Sequence, residues 1–214
     1  MKLTLHSAWR ASAPYRVRIG LNLKGLAYDY SPVDLVANQQ RSEAYGRVNP
    51  QSLVPALVVD GARTLTQSLS ILEWLDETFP EPALLPAGPF DRQVVRAMAG
   101  IVACDIHPLN NLRILKALSA AGVDEPKRNA WVERWISEGF TALERMIERH
   151  GDGYAFGAAP TLADCCLVPQ VYNARRFNVD LAPWPRLRAA AEKAESLPAV
   201  AAAHPDHQPD AVQS

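Results

Sequence analysis

Between Leu53 and Leu75 the chain reads LVPALVVDGARTLTQSLSILEWL, a run whose residue types could hold a small peptide. Pro55 follows Val54 just ahead of a strand-like segment. Proline cannot donate to a sheet ladder, and an X-Pro bond in this place is a candidate for the cis form, leaving the Val54 backbone open to an extended ligand. Gln67 and Ser68 stand where a helix begins, and the free N–H groups and positive dipole end there favour a carboxylate. A small anionic peptide would meet both. Taken alone, the same residues also describe a plain hairpin across Asp60-Gly61 followed by an ordinary helix N-cap.

The elements that must position these residues follow from periodicity. Lys2 to His6 alternates as a strand, Arg16 to Lys24 places Val17, Ile19, Leu21 and Leu23 among basic residues, and Ala27 to Pro32 alternates again, so the chain opens β-α-β. Ala56 to Asp60 and Arg63 to Thr66 form a hairpin, and a helix follows with Leu69, Leu72 and Leu75 on one face. Pro80, Pro82, Pro86, Gly88 and Pro89 then stop regular structure. The predicted division is therefore a first domain over 1–82, a Pro-rich linker over 83–89, and a second domain over 90–214. The second domain has helical periods at roughly 90–120, 126–149, 161–176 and 185–197, no convincing strand, and a weakly ordered tail from about Ala199. Thr161 and Asp164 have the spacing of a capping box, read here as a local folding signal.

Composition narrows the function classes. The 214 residues carry 22 basic and 23 acidic side chains, a formal charge of −1, with no long run of either sign, which argues against nucleic acid and against a polybasic membrane anchor. No stretch reaches the roughly 18 apolar residues of a membrane span, and Met1-Lys2 runs straight into a strand, so a cytoplasmic protein is expected. Cys104, Cys165 and Cys166 suit reduced core thiols better than a disulfide framework. His204 and His207 lack the partners of a metal site and read as a solvated terminus; no metal is expected.

The β-α-β, β-β-α order with a proline before the third strand resembles the thioredoxin-like fold, which handles thiols at the loop after its first strand. Here that loop is Ser7 to Tyr15, SAWRASAPY, and no cysteine occurs before Cys104. Thiol chemistry at that helix N-terminus would need an imported thiol. The stretch from Trp9-Arg10 through RVRIGLNLKG, Asn49-Pro50 with Val54-Pro55, Gln67-Ser68, DIHPLNN over 105–111, and ADCCLVPQV over 163–171 together resemble the zeta-class glutathione transferases, over nearly the whole chain. That family includes the maleylacetoacetate and maleylpyruvate isomerases.

The resemblance implies a thioredoxin-like glutathione-binding domain followed by an all-helical substrate domain, and a homodimer. It implies that Gln67 and Ser68 hold the γ-glutamyl end of glutathione, that the Val54 backbone pairs with the cysteinyl unit, and that Gln40 reaches the glycyl end. His107, Asn111 and Arg113 match positions where the helical domain approaches the peptide or substrate. The family reaction is cis–trans isomerisation of a conjugated dicarboxylate, with glutathione supplying the nucleophilic thiolate as an unconsumed cofactor. Arg10, Arg113, and Arg175 or Arg176 are the candidates for the substrate carboxylates, since a guanidinium pairs bidentately and stays charged. Arg16 and Arg18 are expected to be structural.

In one respect the chain departs from the family pattern. Where the family carries Ser-Ser-Cys after the loop arginine, this chain has Ala11-Ser12-Ala13, so Ser12 is the hydroxyl left to support a thiolate, or else a plain N-cap. Two other functions stay open at this level. One is a broad transferase acting on halogenated acids or other electrophiles, and the other a non-catalytic glutathione-binding module.

Overall fold

A computed structural model describes residues 1–212 and divides the chain into two units: Met1–Leu84 joined by the chain from Ser196, and Leu85–Glu195. In the first unit, β1 (Leu3–Ser7), α1 (Ser12–Leu23) and β2 (Asp29–Pro32) form the opening β-α-β, with β1 and β2 parallel. After α2 (Glu43–Val48), β3 (Ala56–Val59) and β4 (Arg63–Thr66) make the hairpin, and α3 (Ser68–Thr78) closes the unit. The sheet runs β2-β1-β3-β4, with β3 antiparallel to both its neighbours. This is the expected thioredoxin-like order plus one short helix. Glu43–Val48 escaped the periodicity argument because a six-residue helix burying only Tyr45 carries no amphipathic stripe.

Local chemistry explains the elements. Asp60 and Gly61 both take positive φ, 51° and 69°, and the Ala62 N–H donates to Val59 C=O at 3.1 Å, the backbone of a type I′ hairpin turn. The Val54–Pro55 peptide is cis. Gly20 lies against α3, where a Cβ would overlap the Leu72 side chain, so only glycine lets α1 and α3 pack this closely. Leu5, Val17, Leu21, Leu57, Ile71 and Leu75 are fully buried between sheet and helices.

In the second unit, the 90–120 helical period resolves into α4 (Pro89–Gly100), a π-helical run over Ile101–Ile106, α5 (His107–Asn110) and α6 (Leu112–Ala120). α7 (Glu125–His150) buries Val132, Ile136, Phe140, Leu143 and Ile147 at helical spacing. α8 (Leu162–Arg176) is buried along most of its length, and α9 (Pro185–Glu195) follows. Thr161 and Asp164 form the capping box anticipated from their spacing, and the Asp164 carboxylate accepts from the N–H groups of Thr161 and Ala155, each at 2.8 Å. Burial nevertheless pushes its pKa up to about 6.

The chain end corrects the predicted division. Residues from Ser196 belong with the first unit, not with the helical domain, and they are structured through α10 (Pro198–Ala202) and a 3₁₀ turn over Pro205–His207. Side chains of α1 hold this segment: Arg18 Nε donates to Ala203 C=O at 3.0 Å and Asn22 Nδ2 to Ala199 C=O at 2.9 Å. Ala203 and Pro205 are buried, and the His204 ring meets Tyr15 edge-on, so this stretch is not the solvated terminus expected of it. The last two residues of that tail lie outside the described ones. Cys165 and Cys166 are buried thiols as expected, whereas Cys104 is exposed. Among the described residues there is no metal-binding cluster, and no helix is long and apolar enough to cross a membrane.

A buried ion pair locks the start of the linker to the first unit. Lys24 Nζ donates to Asp76 at 2.7 Å and to the carbonyls of Phe79 and Pro82, while Asp76 also accepts from Leu84 N–H at 2.6 Å. Removing one member leaves a buried charge unmatched, so Lys24→Met is expected to cost about 3–5 kcal/mol in denaturant unfolding, with Lys24→Met/Asp76→Leu recovering part of it. Asp164 gives a pH signature. Its native pKa near 6 lies above that of the unfolded chain, so its stabilising contribution is complete below about pH 4 and is lost as pH rises through 6. The wild-type minus Asp164→Asn stability difference should fall across that window, and a flat difference would contradict the assignment.

Candidate functional site

The first unit brings Ser12, Val54, Gln67 and Ser68 to the start of two helices and the loop before β3. α1 begins at Ser12 with Ala11 as N-cap, which has no side-chain oxygen to offer, and Pro14 in the first turn carries no N–H. Ser12 is buried, with its hydroxyl at the positive end of the helix. Arg10, two residues earlier, is exposed, and its guanidinium carbon lies 4.9 Å from the centre of the Trp9 ring.

α3 starts similarly. Its N-cap Gln67 sits at φ 66°, ψ 114° and makes no side-chain cap. A non-glycine residue held at positive φ stores strain, of order 1–3 kcal/mol, and such residues cluster at ligand clamps. The exposed Gln67 side chain donates from Nε2 to Gln51 Oε1 at 3.0 Å. Ser68 is buried, and its hydroxyl accepts from Arg16 Nη1 at 3.2 Å. Arg16 and Ser12 are one helical turn apart on α1, so the inner face of that helix reaches both helix starts.

The loop before β3 is braced on its carbonyls. Leu53 C=O accepts from Tyr45 Oη and from Asn49 Nδ2, each at 2.7 Å, which fixes the residue next to Val54. Burial pushes the Tyr45 phenol up to about 12, so it stays a donor at neutral pH. Gln40 lies on a 3₁₀ turn over Gln39–Arg41, and its Oε1 is buried without a hydrogen-bond partner. A buried acceptor with nothing to accept is uncommon and suits a ligand that brings a donor.

These features fit glutathione. Two helix starts lacking side-chain caps suit its thiolate and one of its carboxylates, the Val54 backbone lies beside them in a braced loop, and the Gln40 acceptor is available for an amide. Arg16, Asn49, Tyr45 and Gln51 support the site without having been picked out as ligands. Arg16 was expected to be structural and is buried, Asn49 belongs to a motif quoted for the family resemblance, and Tyr45 and Gln51 carried no signal in the sequence.

The other expected residues lie in the second unit. His107 opens α5 and is half-buried, Asn111 caps α6 by accepting from Ile114 N–H at 3.2 Å, and Arg113 is exposed on its first turn. At the end of α8, Arg175 pairs with Glu195 at 2.6 Å, while Arg176 lies about 6 Å from the Tyr172 and Phe177 rings. The two arginines are thus distinguished: one is engaged by a carboxylate of its own chain, and the other stands beside aromatic faces.

Comparison with known proteins is consistent along the chain. The family models for the glutathione S-transferase N-terminal and C-terminal domains match residues 12–78 and 129–192. A maleylpyruvate isomerase of Ralstonia sp is 50% identical over 211 residues, covering 97% of this chain and 99% of that protein. The holo structure of a bacterial zeta-class maleylpyruvate isomerase superposes with a TM-score of 0.94 at 49% identity, covering 98% of this chain and 100% of that one. The maleylacetoacetate isomerase of Anaeromyxobacter dehalogenans 2CP-1, with glutathione bound in its active site, matches with a TM-score of 0.89 at 47% identity, covering 99% of this chain and 98% of that one. A further structure of that protein holds dicarboxyethyl glutathione and citrate in the active site.

Proposed function

This chain is a member of the zeta-class glutathione transferase family, and we propose that it is a glutathione-dependent cis–trans isomerase of a maleyl-type dicarboxylate, maleylacetoacetate or maleylpyruvate. The observation that carries the reading is the pair of helix starts without side-chain caps around Ser12 and Ser68, in a chain half identical to an isomerase over almost its full length. When bound, glutathione supplies a thiolate that can add reversibly to the conjugated double bond and so free it to rotate.

The chain's own residues bind, orient and stabilise. Gln67, Ser68 and the start of α3 hold the γ-glutamyl carboxylate, the Val54 backbone pairs with the cysteinyl unit, and Gln40 accepts from the glycyl amide. Ser12 donates its hydroxyl to the sulfur, and the field of α1 lowers the thiol pKa. Arg10 and Arg113 recognise the substrate carboxylates and steady developing enolate charge. Arg175 or Arg176 joins them. His107 and Asn111, on the second unit, are the remaining candidates for contacts to the peptide or the substrate.

Two further properties belong to this reading. The chain forms a homodimer, as its family membership implies. Sedimentation should give a dimer mass, and a monomer at micromolar concentration contradicts it. Need for reduced glutathione, together with free cysteines, suits the cytoplasm. Cell fractionation checks this, and enzyme recovered with the secreted fraction contradicts it.

Ala11, which cannot cap α1, favours a second reading, a glutathione-binding module without turnover. The experiment that decides is a glutathione-dependent assay on a cis-dienoate dicarboxylate beside calorimetry of glutathione binding. Isomerisation is expected, and Ser68→Ala should weaken glutathione by about 1–3 kcal/mol, the range for losing a hydrogen bond to a charged group. Binding without turnover would leave the module. Unchanged affinity in Ser68→Ala would remove the γ-glutamyl assignment.

A further inference from the structure

The turn that delivers the chain into α1 is held at one peptide unit from both sides. The Trp9 N–H donates to Asp210 Oδ2 at 3.1 Å, and the Trp9 carbonyl accepts from Arg18 Nη2 at 2.8 Å. Asp210 is itself fixed, because Tyr30 Oη donates to its other oxygen at 2.6 Å. Arg18 is wholly buried, and its remaining donors go to Ser7 Oγ at 3.1 Å and Ala203 C=O at 3.0 Å. Gln208 ties the approach to Asp210 by donating from Nε2 to the carbonyls of Ala202 and His204. All of these groups belong to the first unit, and the chain end is folded back to bring them together.

We propose that Asp210 is a positioning residue for the thiolate site, acting with Arg18 through the Trp9 peptide to set where the Ser12 hydroxyl and the first N–H groups of α1 stand. The inference rests on the reading of that helix start as the site of the glutathione sulfur. Between the clamp and Ser12 there are only Arg10 and Ala11, and the Ala11 N–H closes the turn on Ala8 C=O at 3.0 Å, so displacement of Trp9 passes directly to the helix start. The Trp9 ring also carries the Arg10 guanidinium, 4.9 Å from its centre, and moves with the same peptide. With alanine at position 11, no side chain on the N-cap anchors the turn. The anchoring acceptor comes instead from the far end of the sequence. Misplacing a catalytic donor by about 1 Å can lower a rate by about 10²-fold.

The charged and titratable groups around the clamp are Arg18, Tyr15, Tyr28, Tyr30 and, edge-on to Tyr15, His204; burial raises both Tyr28 and Tyr30 above the ordinary phenol range. Tyr28 and Tyr30 stay protonated from pH 6 to 9, so a pH effect of Asp210 variants in that range, measured in a His204→Asn background, reports the sulfur.

The test uses the full-length protein, with Asp210→Ala and the isosteric Asp210→Asn. Asp210→Ala should lower kcat/KM at pH 7 at least tenfold, with the loss shrinking toward pH 9, where the thiolate forms unaided. Affinity for S-methylglutathione, whose sulfur cannot ionise, should stay within twofold of wild type. Amide exchange at Trp9 should speed at least tenfold while Leu3 and Leu5 in β1 keep their rates; Asp210→Asn, which retains an acceptor oxygen and the side-chain volume, should fall between. Asp210 variants with the wild-type pH profile overturn the proposal, as does a loss of S-methylglutathione affinity equal to the loss of kcat/KM at every pH, the mark of general loosening. A wild-type protein that binds no glutathione overturns the functional reading and this one together, whereas wild-type turnover with an unaltered Asp210→Ala profile overturns this one alone.

Discussion

Two arginines buried on α1 organise the first unit. A guanidinium taken out of water favours a fold that brings acceptors to its donors, since an unmatched buried charge costs on the order of several kcal/mol. Arg16 and Arg18 are 2% and 0% exposed, so the fold has to bring oxygen atoms to them. Those oxygens come from parts of the chain that are otherwise far apart: the Ser68 hydroxyl at the start of α3, the Ser7 hydroxyl at the end of β1, the Trp9 carbonyl in the following turn, and the Ala203 carbonyl near the chain end. Arg18, with all three guanidinium nitrogens hydrogen-bonded, and Arg16, through Ser68, therefore tie together the start of one helix, the loop into another, and the return of residues 196–212.

The same requirement builds a site for an anion. A hydroxyl that accepts from a buried guanidinium is polarised and turned, and Ser68 presents its remaining donor at the N-terminal end of α3. Close by, α1 starts without a side-chain cap. On the proposed reading, one helix start receives a carboxylate of the peptide and the other its ionisable thiol.

Much of this was legible before coordinates. Asp60-Gly61 between alternating runs identifies its hairpin because a type I′ turn demands positive φ at both residues, and Thr161 with Asp164 identifies a helix start because the two side chains exchange bonds with the backbone. Val54, Gln67 and Ser68 read from the sequence as a candidate peptide-binding edge, and the structure sets them in the loop before β3 and at the start of α3. What was hidden is long-range polar pairing. Arg18 finds Ala203 across 185 positions and Trp9 finds Asp210 across 201, and neither partner advertises the contact in its neighbourhood. The chain end, rich in alanine, proline and histidine, reads as loose because its order comes from α1 side chains and not from its own periodicity. Arg175 and Arg176 could not be told apart by sequence either, since the difference lies in Glu195, twenty positions on.

On the proposed reading, Ala11 in place of the usual first serine leaves thiolate stabilisation to Ser12 and the backbone field of α1. That is the central physical claim. Its direct measurement is an ultraviolet difference titration of glutathione bound to the wild-type protein and to Ser12→Ala. The account predicts a bound thiol pKa below that of free glutathione in the wild type and a rise toward the free value in the variant. Tight glutathione binding with an unshifted thiol pKa in the wild type would contradict it.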